Sequence, residues 1–256
     1  GYVQKLYYNE NVYRVSKGTK TFKEIMQVGL ECIGDIDAYS ISEVISLAVK
    51  SLKEINENSV LSISHLGILS AVLDSANITS YIKDEIIKCI EEKNEHELKN
   101  LCRDNGIDDA TSILLGNFIS LYGSPDVVLQ KLKNLSSNSE YVSAVNNLEN
   151  ILSLINSDIK DMLQIDFSVV SDAKYYNGIV FKGFIEKIPG SVLSGGQYDS
   201  LMQRMSKKSG AIGFAIYLDM LDPLKTNDND YEQDIIVLYD ETTDITALKK
   251  LIDELI

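Results

Sequence analysis

Gln27 and Glu31 stand four residues apart in a segment rich in β-favouring residues, FKEIMQVGLECI over 22–33. Alternate side chains of a strand share a face, so a spacing of four puts both on one side of a sheet. There a carboxylate can pair with an α-ammonium or an imidazole N–H, and a glutamine can both donate and accept. Residue types alone leave plainer readings open. The same pair fits a solvated strand, a tyrosine pair such as Tyr175-Tyr176 fits ordinary packing, and Gly195-Gly196 fits a turn. Little else offers chemistry. His65 and His96 read as structural or solvated, and Cys32, Cys89 and Cys102 lack CxxC spacing. The acidic pairs Glu91-Glu92 and Asp108-Asp109 read as exposed helix ends. There is no cluster of nucleophile and base and no phosphate-binding loop, so neither catalytic residues nor a metal or cofactor site is expected.

The elements that would position Gln27 and Glu31 can be read from periodicity. Residues 5–15 and 22–33 predict two strands of a long hairpin, joined by a polar loop at Ser16-Lys17-Gly18-Thr19. Ile41, Val44, Ile45, Ala48 and Leu52 recur at helical spacing, with Ser40 or Ser42 as cap. A short buried strand follows at 60–64. Residues 66–157 read as mostly helical, and Val142, Val145, Leu148, Leu152 and Ile155 form the stripe of the last helix. Strands return at 162–170 and 174–186, with Asn177-Gly178 as a bend or bulge beside a site. Gly213 to Leu221 suits a core helix. A polar linker follows Pro223, and a strand at Ile235–Tyr239 with a helix near 245–255 suggests a terminal βα unit. Strands, then helices, then strands predict an α+β fold with an antiparallel sheet. The expected division is a core of 1–65 and 160–224, a helical insertion over 66–159, and a linker with the start of a βα unit over 225–256.

The net charge of -14 and the scarcity of arginine, at Arg14, Arg103 and Arg204, disfavour a nucleic-acid partner. Three cysteines without pairing or metal spacing fit a reducing cytoplasm. No apolar run is long enough to span a membrane.

Four separated segments, in order, resemble class II histidyl-tRNA synthetases. They are Tyr13-Arg14-Val15-Ser16 running to Gln27-Val28-Gly29-Leu30-Glu31, the segment Ser171 to Gly178, then Gly195-Gly196-Gln197-Tyr198-Asp199, and Gly213-Phe214-Ala215. The resemblance covers about residues 5–65 and 162–222, with the helical block matching the family's insertion in position only. It implies a class II synthetase-like antiparallel sheet flanked by helices. It also implies that Gln27 and Glu31 recognise histidine, that Tyr175, Tyr176 and Tyr198 line the imidazole pocket, and that Arg14 is the hairpin arginine. Both adjacent tyrosines reach one ligand only if the chain bends after them. The family's first motif and one ligand strand would lie upstream of Gly1.

The losses carry as much information. Ser171, Gln197 and Met220 stand where the family has arginines, Ser16 where it has a glutamate, and the bulky Tyr217 where it has a glycine. Adenylate formation needs fixed cations around a developing phosphate charge. A retained amino-acid pocket without them resembles the regulatory-subunit family of ATP phosphoribosyltransferase. That resemblance implies a non-catalytic chain that binds L-histidine for feedback control of the first step of histidine biosynthesis. It also implies a short-form ATP phosphoribosyltransferase catalytic subunit as partner and a homodimer of the full-length protein. The alternatives are a divergent histidyl-tRNA synthetase catalytic fragment, an ATP-dependent ligase, and a stand-alone histidine sensor.

Overall fold

The structure, a computed structural model, describes residues 2–15, 21–76, 78–170, 175–224 and 235–255. The expected loop at 16–19 and Ser171 lie outside the described residues.

Strands β1 (Gln4–Val15) and β2 (Phe22–Gly34) form the expected hairpin, in a register that sets Tyr8 opposite Gly29 and Glu10 opposite Gln27. Helix α1 (Ala38–Ile55) buries Ile41, Val44, Ile45, Ala48, Val49 and Leu52. Each large apolar side chain so buried contributes about 1.5–3 kcal/mol. Its cap is Asp37 and not Ser40 or Ser42: the Asp37 carboxylate accepts the Ser40 backbone N–H at 2.8 Å, and a carboxylate satisfies an otherwise orphaned donor at a helix start. Strand β3 (Ser59–His65) then leads into the helical block: α2 (Leu66–Ser75), α3 (Ser80–Glu91), α4 (Glu95–Asp104) and α5 (Asp109–Ser120). A two-residue strand β4 (Tyr122–Gly123) interrupts it before α6 (Pro125–Lys133), α7 (Ser139–Ser153) and α8 (Ser157–Lys160). On α7, Val142 is 39% exposed and leaves the expected stripe. Tyr141 is buried in its place, its hydroxyl donating to the Leu132 carbonyl at 3.0 Å.

The returning strands are shorter than their apolar runs. They are β5 (Leu163–Asp166), β6 (Ile179–Ile185) and β7 (Leu193–Gln197), the last followed by the short helix α9 (Asp199–Arg204). Tyr175 to Gly178 lie outside β6, because the chain bends at Asn177-Gly178. The Asn177 N–H donates to the Gln197 carbonyl, and the Leu66 N–H to the Gly178 carbonyl.

The segment expected as a core helix is instead strand β8 (Gly210–Tyr217), continued by a 3₁₀ helix, Leu218–Leu224. Ala211, Ile212, Phe214 and Ile216 are all buried. One face carries Ile212, Phe214 and Ile216 and the other the small Ala211, Gly213 and Ala215, so the run has no polar alternation and periodicity cannot separate it from a buried helix. The eight strands form one sheet in the order β1-β2-β8-β7-β6-β3-β5-β4. It is antiparallel except where β3 and β5 run parallel. Helix α1 lies so close to this sheet that a Cβ at Gly183 on β6 would come 2.6 Å from Leu52 Cδ1.

Gly1–Leu224 forms one compact unit, in which the helical block shares a continuous core with the sheet. Lys225–Ile256 is a second unit, holding α10 (Ile245–Leu255). The expected strand at Ile235–Tyr239 does not form. Ile236 and Leu238 are 75% and 90% exposed, and a lone strand has no partner for its backbone groups. No helix among the described residues is long and apolar enough to cross a membrane.

Candidate functional site

On β2, Gln27 and Glu31 project to the same face with Gly29 between them. Gly29 has no side chain because the Tyr8 ring, reaching across from β1, occupies that space. The neighbouring strand β8 sets Gly213 opposite Glu31 and Tyr217 opposite Gln27. A Cβ at Gly213 would collide with the Glu31 carboxylate, so this glycine is what lets the acid fold inward. At Gly196 on β7 a Cβ would come 2.7 Å from the Tyr176 ring. Glycines thus clear the floor for three functional side chains.

The result is a cavity of about 350 Å³ that takes in all six residues expected from the sequence: Arg14, Gln27, Glu31, Tyr175, Tyr176 and Tyr198. The bend after Tyr176 is what admits both adjacent tyrosines. Their rings meet edge-on at 4.8 Å between centroids, and Tyr175 lies 5.5 Å from Tyr198. Tyr8, Ser194, Tyr217 and residues 213–215 of β8 complete the lining; sequence reasoning missed Tyr8 and Ser194 and marked Tyr217 only as a bulky residue in place of a family glycine. Tyr8 had one signal: it lies six residues from Arg14, on the same face of the same strand.

The electrostatics are asymmetric. The Tyr198 hydroxyl donates a short hydrogen bond to Glu31 Oε2. Burial pushes the Glu31 carboxyl above the ordinary glutamate range, and the Tyr198 bond offsets this only in part. Tyr198 in turn is pushed well above the usual phenol range, by burial first and by its bond to Glu31 second. Gln27 is 3% exposed, and its Nε2 has no hydrogen-bond partner among the described residues. Such orphaned buried donors are uncommon and costly. Arg14 is the single cation of the described lining. Along the sheet, the Glu31–Tyr198 pair marks one end, Gln27 the middle and Arg14 the other end. An anionic end and a cationic end with an unsatisfied donor between them suit a small zwitterion carrying a ring.

The positions where the resemblance expects arginines do other work. Gln197 Nε2 donates to Asp199 Oδ2 at 2.5 Å, and Asp199 Oδ1 accepts the Ala211 N–H at 2.9 Å. Met220 packs against the core and does not line the cavity. His65 is buried on the far side of the bend. Its Nε2 lies 3.2 Å from Asn147 Oδ1, and burial pulls its pKa down, keeping the ring neutral. His96 is exposed, and all three thiols are buried and free. Glu91, Glu92 and Asp109 sit at exposed helix ends, as expected, and Asp108 caps α5 through the Thr111 N–H. Among the described residues no three His, Cys, Asp or Glu side chains converge as metal ligands.

A mostly antiparallel sheet flanked by helices, holding an amino-acid-sized pocket between its hairpin and its glycine-bearing strands, is the architecture of class II synthetase-like proteins. The chain belongs to the histidyl-tRNA synthetase family, whose model matches residues 2–221. It is 31% identical over 234 residues to the ATP phosphoribosyltransferase regulatory subunit of Clostridium kluyveri, covering 89% of this chain and 60% of that protein. It is 28% identical over 253 residues to the histidine–tRNA ligase of Methanococcus vannielii, covering 96% of this chain and 59% of the ligase. Among solved structures it resembles an ATP phosphoribosyltransferase regulatory subunit/histidyl-tRNA synthetase from Bacillus halodurans C. The TM-score is 0.78 at 26% identity, over 86% of this chain and 58% of the other. The chain spans about three-fifths of the length of these relatives.

Proposed function

We propose that this chain is the histidine-sensing part of a regulatory subunit of ATP phosphoribosyltransferase, and that it catalyses no aminoacylation itself. The observation that carries this is that Gln27, buried with an unpartnered Nε2, lines the same cavity as the desolvated Glu31 carboxylate. In this reading Glu31 and Tyr198 take the imidazole or ammonium of L-histidine, Gln27 supplies the missing hydrogen bond, and Arg14 faces the carboxylate. Tyr175 and Tyr176 close over the ring. One lining arginine is too few to hold a nucleotide through adenylate formation, which depends on several fixed cations.

A sensor without chemistry acts only through something that reads its occupancy. The relative from Clostridium kluyveri bears the name of a regulatory subunit, and this supports a short-form ATP phosphoribosyltransferase catalytic chain as the reader. Histidine binding then favours the less active state of that complex, and the coupling is reciprocal between the two chains. We place the full-length protein in the cytoplasm as a homodimer within this complex, with no nucleic-acid partner.

Calorimetric titration tests the reading. L-Histidine should bind with or without Mg-ATP, and Mg-ATP alone should give no heat. The similarity to a histidine–tRNA ligase favours a second reading, a divergent ligase fragment. Histidine-dependent exchange of pyrophosphate into ATP would establish that reading and overturn the first.

A further inference from the structure

Strand β8 presents alternate residues to the cavity, Gly213, Ala215 and Tyr217. The series grows from no side chain to a phenol, moving from the Glu31 end toward the Arg14 end. Tyr217 is fixed at both of its extremes. Its backbone N–H donates to the Val192 carbonyl at 2.8 Å, and its hydroxyl lies 2.6 Å from Ser194 Oγ on β7. Ser194 is itself registered opposite Ala215, so the hydroxyl pair spans two adjacent strands across the cavity wall. The ring therefore cannot swing aside without breaking that bond.

We infer that Tyr217, braced by Ser194, is the specificity-determining residue that limits this cavity to an amino acid with a free carboxylate. The inference rests on the histidine-sensing reading above. A zwitterion seated with its cationic group at Glu31 directs its carboxylate past Gln27 toward Arg14, and the phenol stands opposite Gln27 on the wall of that path. A carboxylate extended by a further group, as in an acyl adenylate, runs into the Tyr217 ring. Extra volume forced against a fixed wall is costly, because packed interiors do not yield gradually. Exclusion of the nucleotide is thus steric as well as electrostatic: restoring arginines at Gln197 or Met220 would not make room for it.

The test is calorimetric titration of wild type, Tyr217→Ala and Ser194→Ala with two probes, L-histidine and a sulfamoyl acyl-adenylate analogue of histidine. Thermal melts check that each variant folds. Wild type should bind histidine and reject the analogue. In Tyr217→Ala the affinity for the analogue relative to histidine should rise by roughly tenfold or more. Ser194→Ala frees the ring without deleting it and should give a smaller rise in the same direction. Wild type binding both probes equally well overturns the size limit alone. So does a folded variant of either kind that binds histidine but shows no relative gain. Failure of wild type to bind histidine overturns the sensing reading and this inference with it.

Discussion

Glu31 sits where its charged form is disfavoured, with its carboxyl held above the ordinary glutamate range by burial. A carboxyl whose native value is raised stabilises the fold fully below its unfolded value, and that contribution is lost as pH rises through the native value. At neutral pH the ionised group is therefore a net cost to the empty protein. Glu31→Gln keeps an oxygen to accept the Tyr198 hydroxyl, so it should raise the melting temperature of the empty protein at pH 7.5, with the difference narrowing on acidification. If Glu31 holds histidine as proposed, the same change removes a charge-assisted bond worth about 1.5–3 kcal/mol and should weaken histidine roughly ten- to a hundredfold by calorimetry. Wild-type affinity should also fall with pH at values above the ordinary glutamate range, a drop missing from Glu31→Gln. Gln27→Leu makes a parallel case. It deletes a buried orphan donor, so histidine binding should be lost while urea unfolding of the empty protein shows no loss of stability. That the two share a face was legible in their four-residue spacing on a strand, whereas their part in a site came only from the family resemblance. Tyr8 and Ser194 were not legible: nothing in an isolated segment tells which neighbouring strand it will meet.

At the scale of elements, the site depends on three strands approaching where side chains would collide. Gly213→Ala tests this directly. A Cβ there meets the Glu31 carboxylate and lies 2.5 Å from the Leu30 carbonyl oxygen. The variant should lose about 1–3 kcal/mol in urea unfolding and lose histidine affinity, since Glu31 must move. The hairpin could be read from its β-favouring residues on either side of a polar loop, and α1 from its period of 3.6. Strand β8 could not, because the small Ala211, Gly213 and Ala215 of its cavity-side face are as non-polar as Ile212, Phe214 and Ile216 of the other, and the run carries no polar alternation. The bend at Asn177-Gly178 was readable as a bend, though its effect, ending β6 early and turning two adjacent tyrosines into one cavity, depends on the Gln197 carbonyl that catches it.

The whole molecule carries a net charge of -14, yet the hairpin's second face exposes several large apolar side chains around the polar Asn9, Asn11 and Glu24. Tyr7, Tyr13, Val15, Phe22 and Met26 share that face, with Tyr7 87% and Phe22 76% exposed. Apolar surface of this kind usually meets a partner. Mixing the full-length protein with a short-form ATP phosphoribosyltransferase should give a larger particle by light scattering and an activity that falls with histidine. A pair that stays separate, or a complex indifferent to histidine, would leave a stand-alone sensor as the better account. The α+β order and the helical block were visible in the sequence as changes of period. The single parallel pairing of β3 with β5 was not, since it joins segments about a hundred residues apart whose local patterns do not mention each other.

The Leu66 amide, which donates to the Gly178 carbonyl at 2.9 Å, starts α2 at the place where the bend carrying Tyr175 and Tyr176 ends. This one proton ties the bend that follows the two tyrosines to the helical block, so its exchange with solvent is a clock for how often the bend lets go. A ligand that clasps the tyrosines should slow that clock at Leu66. Buried amides of β3, such as Leu61, should keep their own time, set by global opening.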